Sequence, residues 1–177
     1  MCRNLIKMLI VVSLAFHACN VITSSNRRDS INKFVQQPSD SNDEIRRIHD
    51  FDGIFNDKEE NTLDSLLVLL ESKTGFWTSL VTIDSTMALC DSIDQFTLYF
   101  GQRESRQYKE PANGIAIGIS TYCKKIRIET SRNVSPLMPD ATAQTIIDSN
   151  FIPYFKSGEF FKGTLNGILS MIRQLEK

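Results

Sequence analysis

Histidine is scarce in this sequence, and the motifs that mark several common enzyme classes are absent. The 177 residues include two histidines, of which His17 lies in an N-terminal apolar run and only His49 lies beyond it. There is no G-x-S-x-G, H-E-x-x-H, C-x-x-C, phosphate-binding loop or G-x-G-x-x-G sequence. These absences argue against a serine hydrolase, a zinc protease, a dithiol oxidoreductase and a nucleotide-binding protein.

The charge balance and the apolar runs exclude two further classes. The formal net charge is -1, whereas a nucleic-acid-binding protein needs a basic excess. The single long apolar run lies at the extreme N-terminus, so the sequence does not predict a transmembrane bundle. With 41% hydrophobic residues, the chain is long enough for one domain with its own core.

The N-terminal run resembles an export signal. Two cationic residues precede the apolar stretch 8–16, and the small Ala18 stands directly before Cys19. The stretch is too short to span a membrane. We therefore predict a signal over residues 1–19, of the bacterial lipoprotein type with lipid attached to Cys19; a plain signal peptide cleaved nearby is the alternative. Lipid attachment would place the protein in the bacterial cell envelope or periplasm, held to the membrane.

A polar tether and one folded domain are predicted after the signal. Residues 20–44 are dominated by Ser, Asn, Gln and Asp without a sustained apolar period, which is typical of a flexible tether. The domain then covers residues 45–177. Its two cysteines, Cys90 and Cys123, either pair in an oxidising compartment or act as buried apolar residues, and their spacing does not decide between these outcomes.

The apolar patterns of the domain predict an α/β fold. In chain order they indicate a helix over 56–75, a strand over 77–83, a helix over 89–101, a hairpin of strands 115–122 and 126–130, a helix starting at Asp140, and a helix within 158–175. This order predicts a three-layer α/β/α sandwich on a short mixed β-sheet. Gly163 and Gly167 share one helix face, which would permit tight packing.

One short stretch is similar to a phosphatase motif but lacks its context. Residues 49–55, H-D-F-D-G-I-F, resemble the D-x-D-G-T motif of haloacid-dehalogenase-type phosphatases, whose first aspartate attacks phosphorus. That chemistry needs the aspartate at the end of a buried strand, and the residues before Asp50 do not form an apolar pattern. The sequence therefore favours a polar turn around Asp50 and Asp52 before the first helix.

Three aspartates are candidate metal ligands. Asp50 precedes the first helix, Asp84 follows the first predicted strand, and Asp140 ends the loop that follows the hairpin. Carboxylates that converge at one edge of a sheet can bind a hard cation such as calcium or magnesium. Taken singly, each aspartate is better explained as a helix cap or a turn residue.

Several segments together resemble a known family. They are I-H-D-F-D-G-I-F-N-D-K-E-E-N-T-L, N-G-I-A-I-G-I-S, K-I-R-I-E-T-S and P-D-A-T-A-Q-T-I-I-D-S-N-F-I-P-Y-F-K-S-G-E-F-F-K-G. In order and spacing they resemble the TPM domain of exported bacterial and thylakoid-lumen proteins. The resemblance implies an α/β/α sandwich and membrane-attached or lumenal placement. It also implies calcium binding and weak acid phosphatase activity in some members, and accessory roles in others.

The resemblance places Asp50 and Asp140 on aspartates of the family pattern. The family's G-Y-G-x-E window after the strand corresponds here to residues 131–135, which contain neither glycine nor acid. The missing glutamate removes an oxygen ligand and Arg132 adds positive charge, so we expect weaker cation binding than in the family pattern.

Two functions follow as expectations. The first is an envelope-anchored accessory or binding protein with unidentified envelope proteins as partners, a lipid anchor and no nucleic acid. The second is a metal-assisted acid phosphatase acting on phosphomonoesters. It would use Asp50, Asp84 and Asp140 around calcium or magnesium, with a bound water as the nucleophile.

Overall fold

The computed structural model describes residues 46–109 and 111–176. The elements are β1 (Ile48–Asp50), α1 (Asp57–Thr74), β2 (Trp77–Thr82), α2 (Ile93–Gln107), β3 (Gly114–Ser120), β4 (Lys125–Thr130), α3 (Asp140–Ile146), a π-helical turn (Ile147–Phe151), α4 (Ile152–Phe155) and α5 (Phe160–Leu175). The predicted signal, tether and lipidated Cys19 lie outside the described residues. Within the described ranges, no helix has the length and apolar character needed to cross a membrane.

The strands form one mixed sheet in the order β1-β2-β3-β4. The first three are parallel and β4 is antiparallel to β3. On one face, the isoleucines of β3 join the main core with leucines of α1 and apolar residues of α5. On the other face, the small residues Ala116 and Gly118 lie against α2. The predicted three-layer α/β/α sandwich is confirmed.

Helix α1 begins and ends as its sequence indicates. The Asn56 side chain accepts hydrogen bonds from the backbone amides of Lys58 and Glu59, and the Glu59 carboxylate accepts one from the Asn56 amide. This capping box satisfies amides that the first helical turn leaves without intrahelical partners. Gly75 ends the helix in the left-handed conformation, with φ 73°.

Helix α2 differs from its predicted bounds at both ends. It starts at Ile93 rather than near Leu89, and it continues past Gly101 to Gln107. Gly101 does not end the helix because it faces the sheet, where a Cβ at this position would lie 2.7 Å from the Cβ of Ala116. The glycine therefore permits a close approach of helix and strand, which the sequence pattern does not distinguish from a helix stop.

Strand β1 is absent from the predicted elements. It is three residues long and pairs in parallel with Leu80–Thr82 of β2. Its flanking and central polar residues, Arg47 and His49, find charged partners in Glu71 and Glu104. These polar residues of β1 contact charged residues elsewhere in the fold, so the strand has no apolar alternation in its sequence. The predicted turn at Asp50 is wrong for Asp50 itself, which is the last residue of β1.

The carboxyl end of the sheet carries a disulfide. Cys90 and Cys123 are bonded, with their Cα atoms 5.2 Å apart. The bond joins the loop before α2 to the turn between β3 and β4, so the paired alternative is the one that the structure shows.

Reduction of this disulfide is expected to lower the free energy of unfolding by about 2–4 kcal/mol, because the bond restricts the unfolded chain over a separation of 33 residues. Chemical denaturation of the purified domain with and without dithiothreitol measures the effect. The Cys90→Ala/Cys123→Ala variant is the control, and its stability should not respond to the reductant. A wild-type midpoint that is unaffected by the reductant would contradict the prediction.

Candidate functional site

The carboxyl ends of β1, β2 and β3 meet at one edge of the sheet, which we call the carboxyl edge. Because these strands are parallel, the chain leaves all three there, and Asp50 is the register partner of Thr82. Loops at this edge of open α/β sheets are where ligands usually bind. The candidate site is therefore assembled from the residues at and just beyond these strand ends.

Asp50 has both carboxylate oxygens engaged by its own chain. Oδ1 accepts hydrogen bonds from the Thr82 hydroxyl at 2.5 Å and from the Ile54 amide at 3.2 Å. Oδ2 accepts one from the Phe55 amide at 2.8 Å. Asp50 does end a parallel strand, as an attacking aspartate would, but these three bonds use it to hold the loop that leads into α1.

Asp52 connects the same loop to the turn between β3 and β4. Its Oδ2 accepts hydrogen bonds from the amide and the hydroxyl of Thr121, and its amide donates to the Thr82 hydroxyl at 2.9 Å. The Thr82 hydroxyl thus accepts from Asp52 while it donates to Asp50. From the sequence, Asp52 was expected to be a turn residue only. The signal that could have indicated this network is a threonine at the end of β2 and another just after the end of β3.

Asp84 also lies at the carboxyl edge, two residues beyond the end of β2. Its Oδ1 accepts hydrogen bonds from the amide and the hydroxyl of Thr86, at 2.6 and 2.7 Å. This arrangement closes a local turn, which is one of the two explanations that the sequence allowed. The structure therefore brings Asp50 and Asp84 to the same end of the sheet.

Asp140 does not lie at the carboxyl edge. Because β4 is antiparallel, its last residue Thr130 pairs with Ile115 at the opposite edge, and the following loop begins there. The Asp140 side chain is 78% exposed and 3.5 Å from the Arg127 guanidinium of β4. Strands β1 and β4 are the two outer strands, about 14 Å apart at a spacing of ~4.8 Å.

Asp50 and Asp140 are thus too far apart to share a cation. Oxygen ligands lie within about 2.6 Å of a calcium ion, so two ligands of one ion are at most about 5 Å apart. Within residues 46–109 and 111–176, no group of three or more His, Cys, Asp or Glu side chains is arranged to hold a metal ion. A cation bound by Asp50 and Asp84 stays a prediction.

An acid near the carboxyl edge has a raised pKa. The pKa of Glu60, in the first turns of α1, is raised by partial burial and then by the negative charges of Asp50 and Asp57, which outweigh the opposing effect of Arg46. Crowded carboxylates of this kind attract cationic groups.

The Glu60→Gln variant is expected to be more stable than the wild type at pH 7. A raised folded-state pKa means that the folded protein binds the proton more tightly than the unfolded chain, so stability falls as pH rises from about 4.3 through the higher folded pKa. Glutamine does not ionise, so the variant does not lose this stability as the pH rises. Thermal unfolding followed from about pH 3.5 to about pH 7, a range that spans the ordinary glutamate pKa, measures the difference. Asp64→Asn on the same helix controls for charge removal, and an equal gain in both variants would contradict the assignment.

The loop between β4 and α3 is fixed by hydrogen bonds instead of glycines. The Ser131 hydroxyl accepts from the Gly114 amide at 2.8 Å and donates to the Ala112 carbonyl at 2.6 Å. Val134 and Met138 are fully buried in the main core. Ser131 and Arg132, with Glu129, line a cleft of about 250 Å³ between α2 and the sheet, at the edge opposite Asp50.

A contact between His49 and a buried carboxylate has no counterpart in the sequence-based prediction. His49 Nε2 lies 3.3 Å from Oε2 of Glu104, a residue of α2 whose side chain is 2% exposed. Glu104 follows Phe96 and Phe100 at helical spacing on the buried stripe of α2, and a charged residue in such a stripe is the signal for a buried partner. This contact links β1 with α2.

The fold and the carboxyl edge define a class: a small α/β/α sandwich with three parallel strands, an antiparallel outer strand and an aspartate at the end of β1. The sequence profile of the TPM domain matches residues 48–174. This chain therefore belongs to the TPM domain family.

Solved structures share the fold. A solution NMR structure of the N-terminal domain of a protein from P. gingivalis is similar at a TM-score of 0.67 and 23% identity, covering 76% of this chain and 85% of that one. The N-terminal domain of a protein from Corynebacterium glutamicum is similar at 0.54 and 10% identity, covering 79% and 84%. No curated protein matches the chain.

Proposed function

We propose that this chain is an envelope-anchored accessory protein that acts by binding other envelope proteins, with at most weak binding of calcium or magnesium. The proposal rests on the hydrogen bonds of Asp50. Its two carboxylate oxygens accept three of them, from Ile54, Phe55 and Thr82. A carboxylate used in this way positions a loop. The three bonds occupy most of the roughly four acceptor sites of the carboxylate, which leaves it little capacity to ligate a metal or attack a phosphorus atom.

The position of Asp140 supports the same proposal. In the proposed phosphatase site Asp140 would act together with Asp50, but it pairs with Arg127 beside the far outer strand. Anchoring through a lipid on Cys19 and the polar segment 20–44 would hold the domain near the membrane, where it can contact envelope proteins. No nucleic acid enters the proposal, since the net charge is -1.

Phosphomonoester turnover tests the proposal. We expect the full chain to hydrolyse p-nitrophenyl phosphate no faster than the Asp50→Asn and Asp140→Asn variants, with calcium, with magnesium and with a chelator. Turnover that requires a divalent ion and is lost in either variant would contradict the accessory role and support hydrolysis. A variant purified in parallel controls for contaminating phosphatases.

The second candidate, a metal-assisted acid phosphatase, is favoured by one observation. Asp50 and Asp84 follow adjacent parallel strands at the edge where the pKa of Glu60 is raised, so a cation would be attracted there. A calcium titration followed by thermal unfolding tests this site separately from turnover. Saturation of a native-state site at a hundredfold excess over its Kd adds about 2.7 kcal/mol, and an unchanged Tm at millimolar ion would exclude the site.

A further inference from the structure

Three large apolar side chains are exposed on the loops of the carboxyl edge. Phe51 is 44% exposed, Leu89 is 53% exposed and Tyr122 is 70% exposed. They come from three different loops, which follow β1, β2 and β3. We call Phe51, Leu89 and Tyr122 the apical patch. Contiguous exposed apolar surface on a soluble domain marks an interaction site more often than scattered single residues do.

The structure holds the three loops of the apical patch together. Asp52, the neighbour of Phe51, accepts two hydrogen bonds from Thr121, the neighbour of Tyr122. The disulfide between Cys90 and Cys123 joins the chain beside Leu89 to the chain beside Tyr122. The patch is therefore presented by a cross-linked framework, so a partner does not have to order these loops when it binds.

The surroundings of the apical patch are acidic. Four aspartates lie in the loops that carry it: Asp50, Asp52, Asp84 and Asp91. The loops also carry Lys124, and the adjoining Lys125 of β4 pairs with Asp94.

We propose that the apical patch and its acidic surroundings dock a polypeptide segment that is both basic and apolar, presented by an envelope protein. This inference rests on the proposed accessory function and names the surface and the partner chemistry through which it acts. Aromatic and leucine side chains supply the apolar contact, and the aspartates select lysine or arginine in the partner.

Other occupants fit the surface less well. An anionic lipid headgroup would be repelled by the aspartates. A second copy of this chain would place one acidic patch against another, which costs free energy for like charges. A metal ion alone would make no use of the apolar side chains. The combination of charge and apolar exposure therefore selects a basic, apolar segment.

Fluorescence anisotropy with the full chain tests the proposal. The probe is a labelled peptide that alternates lysine with leucine and phenylalanine, compared with the same peptide carrying glutamate for lysine or serine for the apolar residues. We expect only the first to bind, and added salt to weaken its binding. The Phe51→Ser/Leu89→Ser/Tyr122→Ser variant should bind at least about tenfold more weakly, which corresponds to the loss of one strong contact.

A matched control variant is available on α1. Val68 and Leu69 are exposed to a similar extent, at 45% and 40%, but lie on a helix away from the patch. The Val68→Ser/Leu69→Ser variant should bind the lysine peptide like the wild type. If the triple variant does not fold, Tyr122→Ser alone serves, because its side chain is the most exposed of the three.

Several results would overturn the proposal: no binding of the lysine peptide, equal binding of the glutamate peptide, equal loss in the α1 control, or binding to phosphatidylserine vesicles without binding to the peptide. Such a failure leaves the accessory function standing, because that function is decided by phosphomonoester turnover. Conversely, ion-dependent turnover would reject the accessory function whether or not the peptide binds.

Discussion

The Gly167→Ala variant is expected to lose about 1–3 kcal/mol of folding stability, although alanine is the better helix former. A Cβ at this position of α5 would overlap the ring of Phe151, which is completely buried in the main core. Overpacking of this kind typically costs about 1–3 kcal/mol and exceeds the gain of about 1 kcal/mol from helix propensity. Urea unfolding of the purified domain measures the difference.

A double-mutant cycle with Phe151→Leu identifies the cause. The smaller side chain creates a gap where the alanine methyl can fit, so the double variant should be more stable than the sum of the two single changes indicates. Additive losses would mean that the cost of Gly167→Ala arises elsewhere in the helix. A Cβ at the neighbouring Gly163 would lie 2.7 Å from the ring of Phe155. We therefore expect Gly163→Ala also to lower the stability, by less than Gly167→Ala does.

The Asp50→Ala variant is expected to lower the free energy of unfolding by about 3 kcal/mol in the presence of a chelator. It leaves the amides of Ile54 and Phe55 and the hydroxyl of Thr82 without their acceptor, and each unsatisfied buried group costs about 1–3 kcal/mol. The chelator removes divalent ions, so the measurement reports the role of the carboxylate within the fold.

This measurement separates a positioning role from a ligand role. An aspartate kept only for a metal would repel its acidic neighbours in the metal-free protein, and its removal would stabilise the fold. A stability gain in Asp50→Ala would therefore contradict the hydrogen-bonded role and favour a cation site. Asp84→Ala, which removes acceptors from the amide and hydroxyl of Thr86 in a half-exposed turn, is the matched control and should cost less.

The sequence predicts this fold well where apolar periodicity is the cause of structure. The capping box at Asn56, the alternation in β3 and the glycine face of α5 each follow from local chemistry that the chain displays. It fails at β1, where the partly exposed His49 contacts the buried Glu104, a residue 55 positions further along the chain. Such pairing depends on the fold itself and leaves no periodic pattern.

The candidate site was only partly predictable for the same reason. Parallel strands carry Asp50 and Asp84 to one edge. The sequence placed Asp84 after a predicted strand, but it placed Asp50 only before the first helix. The hairpin, which was predicted, also determines that the chain leaves β4 at the other edge, and this is why Asp140 lies beside Arg127. The hydrogen bonds that occupy Asp50 come from amides, which a residue pattern does not show.

The order of the strands in the sheet has a consequence for how the domain can assemble. Each strand pairs with the one before it in the chain, so no strand has to be inserted between two that have already paired. The sheet can therefore grow from its N-terminal side as the chain emerges. Its isoleucine face is covered by α1 only in part until α5 arrives, because Ile168 and Met171 complete that core. A nascent chain that stops before residue 160 would leave apolar residues of the sheet exposed, and chaperones bind such surfaces.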